Sequence, residues 1–109
     1  MPKNVFDVAA FDLRARSEAG APLTLRHPKT GEKLPAVIWL QGEDAENYRR
    51  TLRAQIDRLV AITQRFENIE LNGVQCDGTP ENAKKLYREQ LWIRDQVVAF
   101  VEDRANFLP

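Results

Sequence analysis

The stretch Ile69-Glu70-Leu71-Asn72-Gly73-Val74-Gln75-Cys76-Asp77-Gly78-Thr79-Pro80-Glu81-Asn82-Ala83 decides the fold class. Asn72-Gly73 is the preferred pair for a two-residue type I′ turn, because both central positions need positive φ. It predicts a small hairpin over 69–76, whose short arms are marginal alone and must lie against something larger. Beyond it, Thr79 reads as an N-cap with Pro80 at the first helical position. A hairpin followed directly by a helix start points to an α+β domain.

Downstream, the pattern predicts one or two helices over about 80–105. Ala83, Leu86, Tyr87 and Leu91 form one apolar stripe, and Ile93, Val97, Phe100 and Val101 form a second, rotated from the first. That offset predicts a break near Glu89 to Trp92. Upstream, a long helix is predicted over about 44–66. Tyr48, Leu52, Ile56, Leu59, Val60, Thr63 and Phe66 recur at spacings of three and four, and Asp44 stands where its cap would be. Leu52, Ile56, Leu59 and Val60 are the expected core contacts of that helix.

A further hairpin is predicted over about 22–41. Leu23 and Leu25 alternate with polar residues, His27-Pro28-Lys29-Thr30-Gly31-Glu32 supplies the reversal, and Val37-Ile38-Trp39-Leu40 returns. Pro35 marks the edge of the return strand. The run 37–40 is apolar on both faces, which predicts a strand covered on both sides with Trp39 in the core. Residues 7–19 read as a short helix between Asp7 as N-cap and Gly20 as the residue after its end. The alternation Phe6, Val8, Ala10 reads as a strand.

With 109 residues the chain is expected to form a single domain over 1–109, burying roughly 65% of the surface of the unfolded chain. Sixteen basic residues balance sixteen acidic ones. That balance argues against nucleic acid and against an anionic membrane as partners. The single cysteine, Cys76, excludes an internal disulfide framework and fits a reducing compartment. No run approaches the ~20 apolar residues of a membrane span. The first residues carry no apolar signal-peptide core, so the expected location is cytoplasmic.

The chemistry-bearing residues do not assemble into a reaction centre. His27, the only histidine, precedes a proline in a turn and has no nucleophile at triad spacing. Cys76 lies beside Asp77, whose charge raises a thiol pKa, so it reads as a small, partly buried side chain. One histidine and one cysteine cannot make a structural zinc site, and no calcium-loop or phosphate-loop pattern is present. No catalytic residue, metal or cofactor is assigned. Arg49-Arg50-Thr51-Leu52-Arg53 is the one basic cluster, and Glu46 and Asp57 stand at pairing distance along the helix, the mark of a solvated face. Trp92, at the change of helix face, and Phe100, Phe107 and Leu108 are candidate partner-binding anchors. The bland alternative is that they pack back onto the body.

Several segments together carry a resemblance. These are Phe11-Asp12-Leu13 with Gly20-Ala21-Pro22-Leu23; His27-Pro28-Lys29-Thr30-Gly31-Glu32; Gly42-Glu43-Asp44-Ala45-Glu46-Asn47-Tyr48-Arg49; Phe66-Glu67-Asn68-Ile69-Glu70-Leu71-Asn72-Gly73; Thr79-Pro80-Glu81-Asn82-Ala83-Lys84-Lys85-Leu86-Tyr87; and the end from Gln96-Val97 to Asn106-Phe107. In this order they resemble the small tail assembly chaperones of long-tailed bacteriophages and prophages. The chain departs from that pattern in a shorter link between the long helix and the Asn-Gly hairpin, and in Phe66 where tryptophan is frequent. The resemblance implies a non-enzymatic protein that coats the tape-measure protein, contacts tail-tube components during assembly, self-associates, and is absent from the finished particle. A structural adaptor retained in the virion is the alternative.

Overall fold

A computed structural model of the chain describes residues 12–50 and 55–108. Its elements run α1 (Leu13–Ala19), β1 (Ala21–Arg26), β2 (Lys33–Leu40), α2 (Glu46–Arg50), α3 (Gln55–Ile62), β3 (Thr63–Glu67), β4 (Glu70–Leu71), β5 (Val74–Gln75), α4 (Pro80–Glu89), α5 (Leu91–Glu102) and a closing 3-10 helix (Arg104–Phe107). β1, β2 and β3 form an antiparallel sheet in that order, and β4 and β5 pair separately. This is the α+β class the sequence predicts.

Both hairpins are present. In the second, Asn72 and Gly73 take φ of 54° and 79°, as a type I′ turn requires, and Cys76 N–H closes the ladder onto Ile69 O at 3.0 Å. Buried Ile69, with Leu71 and Cys76, ties this hairpin to the core. The start of α4 is also as read: Thr79 Oγ1 accepts the Asn82 N–H at 3.3 Å, with Pro80 following it. The predicted break lies at Gln90, whose N–H ends α4 on Leu86 O and whose carbonyl starts α5. α1 starts later than predicted, with Asp12 Oδ1 accepting the Ala15 N–H at 3.1 Å; Asp7, Val8 and Phe11 lie outside the described residues.

The single helix predicted over 44–66 is corrected. Residues 51–54 lie outside the described ones; α3 ends at Ile62, before Phe66, and the chain passes straight into β3 with no loop. Phe66 therefore enters the core from a strand, opposite Ile38. Leu59 and Ile62 are the buried residues of α3, Ile56 and Val60 are only half-buried, and Leu52 lies outside the described residues. Asp44 is not the cap of α2. The Glu46 N–H is instead met by Glu18 Oε1 from α1 at 2.6 Å, an acceptor at the positive end of the helix.

Trp39 is corrected as well. Ile38 and Leu40 are completely buried under α3, α4 and α5, but Val37 and Trp39 face the other way and are half-buried. β2 is thus paired on both edges yet covered on one face. Trp39 is held by the neighbouring strand: the Arg65 guanidinium stacks over its ring at 4.4 Å, and its Nε1 donates to Glu67 at 3.1 Å.

Each exposed strand edge is closed by a particular residue. On β1, Gln96 of α5 accepts the Arg26 N–H and donates to the Arg26 carbonyl, both at 2.8 Å. Pro22, of the same parity as Arg26, offers no N–H. Where β2 runs past the end of β3, Pro35 again lacks a donor and its carbonyl accepts from Asn68 Nδ2 at 3.1 Å. Along β3 the chain at Gly78 comes so close that a Cβ there would lie 2.8 Å from Arg65 Cα. Among the described residues no helix is long and apolar enough to cross a membrane.

Three outcomes follow from these contacts. Gly73→Val is expected to cost about 1–3 kcal/mol from backbone strain alone, because nothing lies within 4 Å of the added carbon. Gly78→Ala is expected to cost about 2–3 kcal/mol by pushing on backbone that cannot yield; a urea midpoint equal to wild type would remove the close approach to β3. The third outcome concerns Tyr87, whose completely buried hydroxyl is pushed up from the ordinary value of 10.0 by desolvation. A folded-state pKa above the unfolded one gives stability that is full below pH ~10 and falls as pH rises beyond it. Tyr87→Phe should flatten that alkaline decline relative to wild type in paired denaturation curves.

Candidate partner-binding surface

β3 stops at Glu67 because Asn68 turns the chain at φ 57°. Past that point the inner side chains of β2, Leu34 and Ala36, have no strand beside them. The small hairpin stands off to one side, and the break between α4 and α5 leaves a gap on the other. These walls enclose a groove of about 370 Å³. Leu71 from β4 and Trp92 from α5 face into it, and Leu86 and Ile93 form part of its floor. The Trp92 ring is tethered at the junction by its Nε1, which donates to Gln90 Oε1 at 3.2 Å. The rim is polar, with Glu70 on the hairpin and Lys85 and Glu89 on α4.

Two large apolar residues stand exposed among those described, Val74 at 68% and Leu91 at 51%. Neither lines the groove, but each neighbours a residue that does. Val74 is opposite Leu71 in the hairpin register, so the two project from the same face. Leu91 lies between Gln90 and Trp92. An apolar cleft flanked by uncovered apolar side chains is suited to gripping a protein segment.

The four predicted anchors do not form one patch. Trp92 lines the groove. Phe100 is two helical turns further along α5, roughly 12 Å away along the axis, and packs edge-on against Phe107 with centroids 5.6 Å apart. Phe107 is corrected as an anchor. It is 6% exposed, buried by the 3-10 helix folding back beside Gly42, where a Cβ would lie 3.0 Å from its ring. Leu108 is half-buried behind it. Phe107 therefore serves the monomer's own packing.

Leu34, Ala36, Leu71, Val74 and Leu91 were not among the sequence candidates. Leu91 reads as core because it continues the stripe of Ala83, Leu86 and Tyr87; the break at Gln90 takes it out of phase and leaves it exposed. Val74 was legible in principle, since the Asn-Gly turn fixes it opposite Leu71. Leu34 and Ala36 were not, because their exposure depends on where β3 ends.

His27, Cys76 and Arg104 have structural surroundings. His27 Nδ1 accepts the N–H groups of Lys29 and Thr30 at 3.1 and 3.2 Å, organising the first hairpin turn. Burial, with the charge of Asp77, pushes the Cys76 thiol up, away from a reactive thiolate. Arg104 takes Asp44 at 2.8 Å and Glu43 at 3.1 Å, joining the 3-10 helix to the entry of α2. Both carboxylates hold its guanidinium in the charged form. Among the described residues no group of three His, Cys, Asp or Glu is placed to hold a metal ion.

No family model, curated protein or solved structure matches this chain. The groove is accordingly read from its own chemistry.

The two kinds of apolar residue should separate by mutation. Phe107→Ala is expected to destabilise the fold by about 3–5 kcal/mol, the usual range for emptying a buried aromatic site. Leu91→Ser, at an exposed position, should stay within about 0.5 kcal/mol of wild type. Thermal melts of the two variants that coincide would overturn this division.

Proposed function

We propose that this chain is a non-enzymatic binding protein that assists phage tail assembly in the host cytoplasm, holding the tape-measure protein and tail-tube components before they assemble. The observation that carries the reading is the groove at Trp92, with two exposed apolar residues next to its lining, Val74 opposite Leu71 and Leu91 preceding Trp92. A coating protein needs apolar surface that a helical client can cover reversibly, with no covalent chemistry. A few apolar anchors at the centre of such a contact provide most of its free energy. The resemblance across the chain supplies the identity of the client.

Co-expression tests this. With the chain present, the tape-measure protein should remain soluble and co-purify with it. The Leu91→Ser, Trp92→Ala double variant should retain its far-ultraviolet circular dichroism spectrum and recover less client, by about tenfold or more for loss of two anchors. Purified particles should contain none of the chain by mass spectrometry. A tape-measure protein that is equally soluble without the chain sinks the proposal, and stoichiometric recovery of the chain from particles assigns it to the virion adaptor reading.

A further inference from the structure

We infer that the groove beside Trp92 takes one face of a short amphipathic helix whose apolar stripe is flanked by lysine or arginine. This deepens the chaperone reading and rests on it for the client's identity alone. The form of the occupant follows from what the walls offer. A strand would need a row of free backbone groups to pair with. The β2 wall has none at Pro35, which lacks a donor and whose carbonyl is taken by Asn68, and β4 is only two residues long. Recognition must therefore pass through side chains. A groove of about 370 Å³ has room for roughly two or three anchor side chains, the number one helix face presents over two turns at i, i+3 or i+4, and i+7.

A second copy of the chain fits less well. A two-fold contact is self-complementary, and pairing two copies here would set Glu70 and Glu89 of one rim near the same carboxylates of the other.

The charge at the rim sets the flanking chemistry. Two carboxylates, Glu70 and Glu89, face one ammonium, Lys85. Glu89 ends α4 and α5 begins at Leu91, so the two helix dipoles offset one another there and the side-chain charges set the sign. A basic residue beside the apolar stripe would meet this rim favourably, and an acidic one would be repelled.

The test uses the intact protein and two synthetic helical peptides with one leucine stripe, one flanked by lysines and the other by glutamates. Isothermal titration at low ionic strength should show the lysine-flanked peptide binding about fivefold tighter, the scale expected of a few exposed charge pairs. A Glu70→Lys, Glu89→Lys protein should reverse that order, which a purely structural role of these residues could not produce. Leu91→Ser should weaken both peptides. Equal affinities, no reversal in a variant with unchanged circular dichroism, or no binding of either peptide overturns the inference. A concentration-dependent dimer abolished by Leu91→Ser does the same by assigning the groove to a second copy. The two levels fail separately. If the Leu91→Ser, Trp92→Ala protein still captures the tape-measure protein at wild-type yield, the groove assignment falls and the chaperone reading stands. If the peptides bind as expected and no tape-measure protein is captured, the chaperone reading falls and the groove assignment stands.

Discussion

The hydroxyl of Thr63 donates to the carbonyl oxygen of Leu59 at 2.7 Å and is joined at the same distance to the hydroxyl of Tyr87, which is completely buried. With its one proton committed to Leu59, Thr63 accepts from Tyr87. Three elements meet at this point: the end of α3, the start of β3 and the buried face of α4. The junction occupies one peptide bond, so the direction in which β3 leaves is set by how α3 is held. Without that exit, Phe66 would not reach Ile38, the sheet would be a two-stranded hairpin, and α4 would lose the wall that Tyr87 packs against.

This junction is also where the sequence misleads. From Leu59, the residues Thr63 and Phe66 fall at helical spacing, and nothing between 55 and 66 is a helix breaker. In the strand both pair with inner residues of β2, Thr63 with Leu40 and Phe66 with Ile38, because the register shifts between Trp39 and Leu40. Which phase wins depends on β2, which presents a pairing edge about 25 residues away, and local pattern carries no information about that. Trp39 misleads for a related reason. A run of four apolar residues suits a strand buried on both faces, but here Arg65 and Glu67 do on the outer face what a second layer would do. Signals written in turn chemistry fared better. Asn72-Gly73 and Thr79-Pro80 lie where the residues place them, because each is a demand of the local backbone, and the break at Gln90 lies where the offset between two apolar stripes puts it. The groove falls between these cases: Trp92 at the break was legible, and the wall of Leu34 and Ala36 was not, since it appears only where β3 gives out.

The edges of the sheet are closed by two prolines, two side-chain amides and one close backbone approach. Gln96 and Asn68 imitate a neighbouring strand at single positions, satisfying the backbone without extending a ladder. The result is a small sheet with little capacity to recruit another chain through its backbone. For the proposed role of holding apolar client segments, that separation would have value: contacts made by side chains in a cleft can be released one client at a time, whereas strand addition tends to propagate.

The clamp of Gln96 on Arg26 spans 70 residues of sequence. During synthesis the first two strands leave the ribosome well before α5 exists. At about 5–20 residues per second, the edge of β1 waits roughly 4–14 s for its cover. Through that interval Pro22 alone interrupts its row of donors. The clamp is thus a late event in the life of each nascent chain, and the proline upstream is what keeps the early hairpin from finding the wrong neighbour.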